Sequence, residues 1–119
     1  MTAPIRILYV EDNELVREVT CELLGGGGRQ VVAVGTAEEA LREFKRSPFD
    51  LVITDISLPA MSGMDLARSI LGIDPAMRII VASGYAVESI PQKWGPNVRT
   101  IAKPFEGPQI DALIADLCP

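Results

Sequence analysis

Polar and charged side chains stand directly after four of the short apolar runs in this sequence. Glu11 and Asp12 follow the first run, Asp55 the third, Ser83 the fourth and Lys103 the fifth. If these runs are strands of one parallel sheet, their carboxyl ends meet at one edge, where ligands of such sheets bind. The five side chains would then form one site of three carboxylates, a hydroxyl and an ammonium group.

The three carboxylates of this predicted site favour a divalent cation. Two carboxylates about 4 Å apart repel each other by about 4 kcal/mol at an effective dielectric constant near 20. A fold that keeps three of them together therefore needs an opposing charge. Oxygen ligands without a nearby thiolate or imidazole favour Mg²⁺ over zinc or iron. The residue types thus predict a magnesium site at Glu11, Asp12 and Asp55.

The same side chains fit phosphoryl transfer. Asp55 is a carboxylate nucleophile that could form an aspartyl phosphate. Mg²⁺ and the Lys103 ammonium would neutralise charge on the phosphoryl group, and the Ser83 hydroxyl would donate a hydrogen bond to it. The chain contains no histidine, which excludes Ser-His-Asp and Cys-His catalysis, histidine-ligated zinc and a phosphohistidine of its own.

Each of these residues also has an ordinary structural interpretation. Glu11 and Asp12 could be the acidic start of a helix, Asp55 could cap a loop, Ser83 could belong to a turn, and Lys103 could be an exposed lysine. These explanations treat the residues one by one. A single site explains why all of them follow apolar runs.

Five apolar runs alternate with helical patterns and predict repeated βα units. The expected strands are 5–10, 30–34, 51–54, 78–82 and 98–102, and the helical patterns begin near residues 13, 36, 62 and 110. The strand runs lack alternating polar residues, which indicates burial on both faces of a parallel sheet. Four glycines, 25–28, end the first helix. Pro91, Gly95 and Pro96 predict a short or irregular fourth helix.

Length and composition favour one soluble α/β domain over residues 1–119. No apolar run approaches the roughly 18 residues of a membrane span, and no signal peptide precedes the first strand, so we expect a cytoplasmic chain without membrane contact. Net charge −5 argues against direct nucleic-acid binding. Cys21 and Cys118 lack metal-site spacing, and two unpaired thiols are favoured over a disulfide.

Four motifs together resemble the response-regulator receiver domains of two-component signalling. They are Glu11-Asp12 after IRILYV, DLVITDISLPAMSGMDL around Asp55, VASGYA at Ser83 and AKPF at Lys103. The resemblance implies a flavodoxin-like (βα)5 fold, a doubly wound sandwich with strand order 2-1-3-4-5. It also implies that Asp55 takes a phosphoryl group from a sensor histidine kinase or a histidine phosphotransfer protein, in a regulatory role rather than as an enzyme.

The resemblance implies a specific ligand set as well. Mg²⁺ would be held by Asp12, Asp55 and the backbone carbonyl of Ser57, with Glu11 acting through a water. Ser83 would shift toward the phosphoryl group, Lys103 would pair with it, and the Lys103–Pro104 peptide would be cis. The surface that faces partners would include the first helix, where Leu15 and Val16 flank the acidic residues.

Three features depart from the usual family pattern. Many members carry an aromatic residue where this chain has Thr100, so the usual hydroxyl–aromatic switch cannot operate in that form. The predicted fourth helix is interrupted by prolines, which alters the face that commonly transmits the signal. Ser57 and Tyr85 occupy positions that influence hydrolysis of the aspartyl phosphate in this family.

Two other functions remain open on the sequence. A Mg²⁺-dependent phosphatase of the haloacid-dehalogenase type also uses an aspartate nucleophile, but it needs a second aspartate two residues later, where this chain has Ser57. A pseudo-receiver would bind partners without phosphorylation. The sequence also leaves open the oligomeric state, and whether the chain acts alone or as the receiver of a hybrid sensor kinase.

Overall fold

Five parallel strands form the centre of the molecule. The computed structural model describes residues 4–84 and 94–119. The strands are β1 (Arg6–Val10), β2 (Gln30–Val34), β3 (Leu51–Asp55), β4 (Ile79–Ser83) and β5 (Val98–Ala102). They form one sheet in the order β2-β1-β3-β4-β5. The predicted strands and their order are confirmed, with boundaries that differ by one residue in β1, β3 and β4.

Helices flank the sheet, and the first three of those described begin at side-chain caps. They are α1 (Glu14–Leu24), α2 (Ala37–Arg46), α3 (Gly63–Ile73) and α4 (Gly107–Leu117). The side chains of Asn13, Thr36 and Ser62 each accept a hydrogen bond from a backbone N–H three residues ahead. Such caps satisfy donors that the first turn leaves open, and so they decide where each helix starts.

The short or irregular helix predicted between β4 and β5 falls largely on residues 85–93. These residues, Tyr85 and Pro91 among them, lie outside the described part of the chain. That prediction is therefore not tested.

No helix within the described residues combines the length and the apolar character that a membrane span requires. Cys21 and Cys118 are both free thiols, so the preference for unpaired cysteines is confirmed.

The core has two layers, one on each face of the sheet. One layer contains Leu66 and Ile70 of α3 with residues of α2, and the other contains Leu24 of α1 with Ile110 and Ile114 of α4. The three central strands are almost completely buried. The two outer strands are partly exposed, which corrects the expectation of burial on both faces throughout, because strands at the edges have a neighbour on one side only.

The glycine run ends α1, as predicted, and forms one short turn of 3-10 helix over Gly26–Gly28. Gly25 caps the helix, and Gly27 and Gly28 adopt φ of 73° and 79°. Side chains other than glycine rarely adopt this left-handed conformation, so two consecutive residues of this kind call for glycine. The turn carries the chain directly into β2 beside β1.

Candidate functional site

The carboxyl ends of the strands place all five predicted site residues at one edge of the sheet. Asp55 and Ser83 are the last residues of β3 and β4, Glu11 and Asp12 follow β1, and Lys103 follows β5. The strand register aligns these ends, since Val10 pairs with Thr54, Asp55 with Ala82, and Ser83 with Ala102. Three central strands and one outer strand thus supply the site.

Three carboxylates converge at this edge. Glu11, Asp12 and Asp55 each offer one oxygen, and these oxygens all lie within 4.8 Å of one another. Glu11 is 2% exposed, whereas Asp12 is exposed to solvent. Hard oxygen donors at this spacing, one of them open to solvent, suit a hydrated divalent cation such as Mg²⁺, which usually keeps several waters. The donor set therefore fits the metal that the family implies.

Lys103 lies against these acidic residues. Its Nζ is 2.6 Å from Glu11 Oε1 and 3.4 Å from Asp55 Oδ2. Burial lowers the pKa of Lys103, but the hydrogen bond to Glu11 and the charges of Asp55 and Glu11 together outweigh it and raise that pKa above its ordinary value. The ammonium group is therefore charged at neutral pH. The Lys103–Pro104 peptide is cis, as the family resemblance implied.

Two residues close in sequence donate hydrogen bonds to Asp55. The Ser57 N–H lies 3.4 Å from Asp55 Oδ1, and the Thr54 hydroxyl donates to the Asp55 carbonyl at 2.9 Å. Ser83 is 3% exposed, and its carbonyl accepts from the Lys103 N–H at 2.7 Å. The structure thus places Ser57 beside the Asp55 carboxylate and Ser83 at the end of the neighbouring strand, next to Lys103. Their predicted roles, a metal-binding carbonyl and a hydroxyl donor, stay predictions.

Gly63 is a structural requirement that the sequence analysis missed. A Cβ at this position would lie 2.1 Å from the Asp55 carbonyl oxygen, so the first turn of α3 can approach β3 only without a side chain. The Gly63 N–H donates to the Ile56 carbonyl at 2.9 Å. A glycine directly after the Ser62 helix cap was the available signal, since glycine is unfavourable inside a helix without a packing reason.

Tyr9 is a second residue that the sequence analysis missed. The pattern predicts it as one more buried residue of β1, and it is 2% exposed, but its phenol carries a titratable hydroxyl. Burial raises the pKa of Tyr9, and the charge of Glu11 adds to this, while a hydrogen bond with Thr20 partly opposes it. Tyr9 therefore stays protonated and connects β1 to α1.

An apolar groove of about 630 Å³ runs beside the site. Its walls include Leu15, Val19 and Leu23 of α1, and Pro104 and Phe105 after β5. Leu15 is 69% and Val19 62% exposed, which is unusual for large apolar side chains of one helix. Lys103 lines the same groove, so this surface is continuous with the acidic site.

Comparisons with known proteins place these features in a family. The family model described as "Response regulator receiver domain" matches residues 7–115. The response regulator receiver protein CpdR of Brucella abortus is 32% identical over 102 residues, which are 84% of this chain and 85% of that protein. The sensor protein TorS of Escherichia coli is 34% identical over 114 residues, which are 93% of this chain but 12% of TorS.

A solved structure shows the same fold. The response regulator protein TrrA of Thermotoga maritima, crystallised in complex with Mg²⁺-BeF, aligns with a TM-score of 0.85 and 28% sequence identity. The alignment covers 95% of this chain and 98% of that one. The predicted flavodoxin-like fold is thereby confirmed. The chain spans most of CpdR and TrrA, but only a small part of TorS.

Proposed function

Because the chain belongs to the response-regulator receiver family, we propose that it takes a phosphoryl group from a partner's phosphohistidine onto Asp55 and thereby changes its binding to a partner. The observation that carries this proposal is the convergence of Glu11, Asp12 and Asp55 within 4.8 Å, beside the Lys103 ammonium. This arrangement combines a nucleophile, a divalent-cation site and a positive charge at one sheet edge.

In the proposed transfer, an oxygen of Asp55 attacks phosphorus. The bond between phosphorus and the partner's imidazole nitrogen breaks, and that nitrogen keeps the electron pair. Mg²⁺ bound by Asp12, Asp55 and the Ser57 carbonyl, with Glu11 acting through a water, would supply positive charge at the phosphoryl oxygens.

Two residues of the chain would then act on the phosphoryl group. Lys103 would exchange its contacts with Glu11 and Asp55 for one phosphoryl oxygen, because that oxygen now carries the negative charge nearest to it. The Ser83 hydroxyl would donate a hydrogen bond to another oxygen. Movement of these two side chains is the first structural consequence of phosphorylation in this proposal.

The partner would be a sensor histidine kinase or a histidine phosphotransfer protein. The groove between α1 and Pro104-Phe105 adjoins Lys103, so a protein seated there could present a histidine to Asp55. Exposed Leu15 and Val19 supply apolar area for that contact. We further propose that residues 1–119 form a single cytoplasmic regulatory domain, which acts as a separate regulator or within a longer sensor protein.

Intact-mass measurement tests the proposal. Incubation with Mg²⁺ and acetyl phosphate, a small phosphodonor, should add one phosphoryl group to the unaltered chain. Asp55→Asn should abolish the addition, because an amide is not a usable nucleophile here. Asp50→Asn, at the opposite end of β3, is the matched control and should still be labelled. Labelling that persists in Asp55→Asn, or never occurs in the unaltered chain, would contradict the proposed function.

A further inference from the structure

We infer that Arg17 is a positioning residue, which holds the backbone that presents Asp12 to the metal. This inference rests on the proposed function, because it concerns the same Mg²⁺ site. Arg17 lies on α1, is half-buried, and has no role in the proposed phosphoryl transfer. Its guanidinium, however, contacts Glu11, the residue directly before Asp12.

The main contact is a charge-assisted hydrogen bond. Arg17 Nη1 donates to the backbone carbonyl of Glu11 at 2.9 Å. A peptide unit is planar, so fixing the Glu11 carbonyl also fixes the N–H and Cα of Asp12, which belong to the same plane. Hydrogen bonds from a charged donor are roughly twice as strong as neutral ones. The guanidinium therefore orients the peptide that carries the exposed metal ligand.

Gly35 lies next to this guanidinium. A Cβ on Gly35 would lie 3.1 Å from Arg17 Nη1 and 4.0 Å from the Glu11 carbonyl oxygen. Glycine at position 35 thus leaves room for the guanidinium between the end of β1 and the loop after β2. The Glu11 N–H also donates to the Val34 carbonyl at 3.1 Å. The Glu11 backbone is held through both its N–H and its carbonyl.

The side chain of Glu11 is held separately. One carboxylate oxygen contacts Lys103 Nζ at 2.6 Å, and the other accepts from the Asn13 N–H at 3.2 Å. Asp12 itself is exposed. Its geometry depends on the peptides on either side, and Arg17 restrains the preceding one. Groups that orient metal ligands in this way typically change metal affinity by 10- to 100-fold when removed.

Loss of the Arg17 charge and loss of its hydrogen bond should change Mg²⁺ affinity in opposite directions, so a measured affinity tests the inference. Arg17 carries positive charge close to a cation site, so removal of the charge alone should tighten Mg²⁺ binding. Removal of a positioning group should weaken it, because Asp12 then samples geometries that do not suit the metal. The direction of the change therefore separates the two explanations.

The test measures metal affinity without phosphorylation. Mn²⁺ is titrated into the chain and followed by electron paramagnetic resonance, and Mg²⁺ is then added as competitor at about 0.15 M salt, where the Debye length is about 8 Å. Arg17→Ala should weaken Mg²⁺ binding about 10-fold. Arg17→Lys keeps the charge but loses the planar donor geometry, and should weaken binding by a smaller factor. Urea denaturation checks that each variant is folded.

Arg68→Ala is the matched control, since Arg68 is an exposed helical arginine that pairs with Asp65 on α3. It should leave Mg²⁺ affinity unchanged. Tighter or equal binding by Arg17→Ala would overturn the inference, and if that variant does not fold, unchanged affinity in Arg17→Lys would do so. Absence of metal binding by the unaltered chain would instead contradict the proposed function itself.

Discussion

β3 and β5 both end at residues of the site, but they stand in very different surroundings. In β3 the four residues before Asp55 are fully buried. In β5 only Val98 is buried, and Thr100 and Ala102 are exposed. Asp55 thus extends from the centre of the sheet, whereas Lys103 extends from its edge.

The different burial of β3 and β5 suits the different demands on Asp55 and Lys103. In the proposed mechanism Asp55 is the nucleophile and must keep a fixed position relative to the metal ligands, and a buried central strand with neighbours on both sides supplies that rigidity. Lys103, by contrast, must exchange partners in the proposed mechanism, and an edge strand constrains it less. We therefore expect substitutions along β3 to cost stability and substitutions at the exposed positions of β5 to cost little.

The largest effect is expected at Ile53, in the middle of β3. Ile53→Ala should lower the free energy of unfolding by about 3 to 4 kcal/mol, because it leaves a cavity in a fully packed layer. Urea denaturation measures this. A loss below about 1.5 kcal/mol would show that the layer collapses around the cavity, and the description of β3 as rigid would then be wrong.

The next effect concerns the helix that packs on the end of β3. Gly63→Ala should cost about 3 kcal/mol, because the added Cβ would lie 2.1 Å from the Asp55 carbonyl oxygen and α3 must move away. Gly72→Ala in the same helix is the control. No atom lies within 4 Å of its added Cβ, so it should stabilise the protein by up to about 1 kcal/mol. Equal effects at both glycines would refute the close approach.

A smaller effect is expected where β5 ends. Lys103→Met should cost about 1 to 2 kcal/mol, because the buried Glu11 carboxylate loses its ammonium partner. Millimolar Mg²⁺ should recover more stability in this variant than in the unaltered chain, since the cation replaces the missing charge. Thermal unfolding with and without Mg²⁺ measures both effects. Lys45→Met, an exposed lysine of α2, should show neither.

The smallest effect is expected within β5. Thr100→Ala should change the free energy of unfolding by less than about 0.5 kcal/mol, because Thr100 is exposed. Urea titrations of Thr100→Ala and Ile53→Ala under identical conditions compare the free energies of unfolding that the two strands lose. A loss above about 1 kcal/mol would mean that Thr100 is engaged in packing, and that β5 is less independent than its exposure indicates.

The amino-acid sequence by itself predicted the strands, the approximate starts of the first three described helices, and the positions of Glu11, Asp12, Asp55, Ser83 and Lys103 at strand ends. These features depend on local chemistry: runs of β-branched residues form strands, and Thr36 or Ser62 caps the helix that follows it. The parallel arrangement then follows from the alternation of strands and helices.

Only the tertiary structure decided the features that depend on contacts between distant segments. The Lys103–Glu11 ion pair joins residues 92 positions apart, and the close approach of Gly63 to Asp55 depends on how α3 packs. The spacing of apolar residues in α1 predicted a helix, but not that Val19 would stay exposed. Periodicity shows which residues share a face, whereas burial depends on what other elements cover that face.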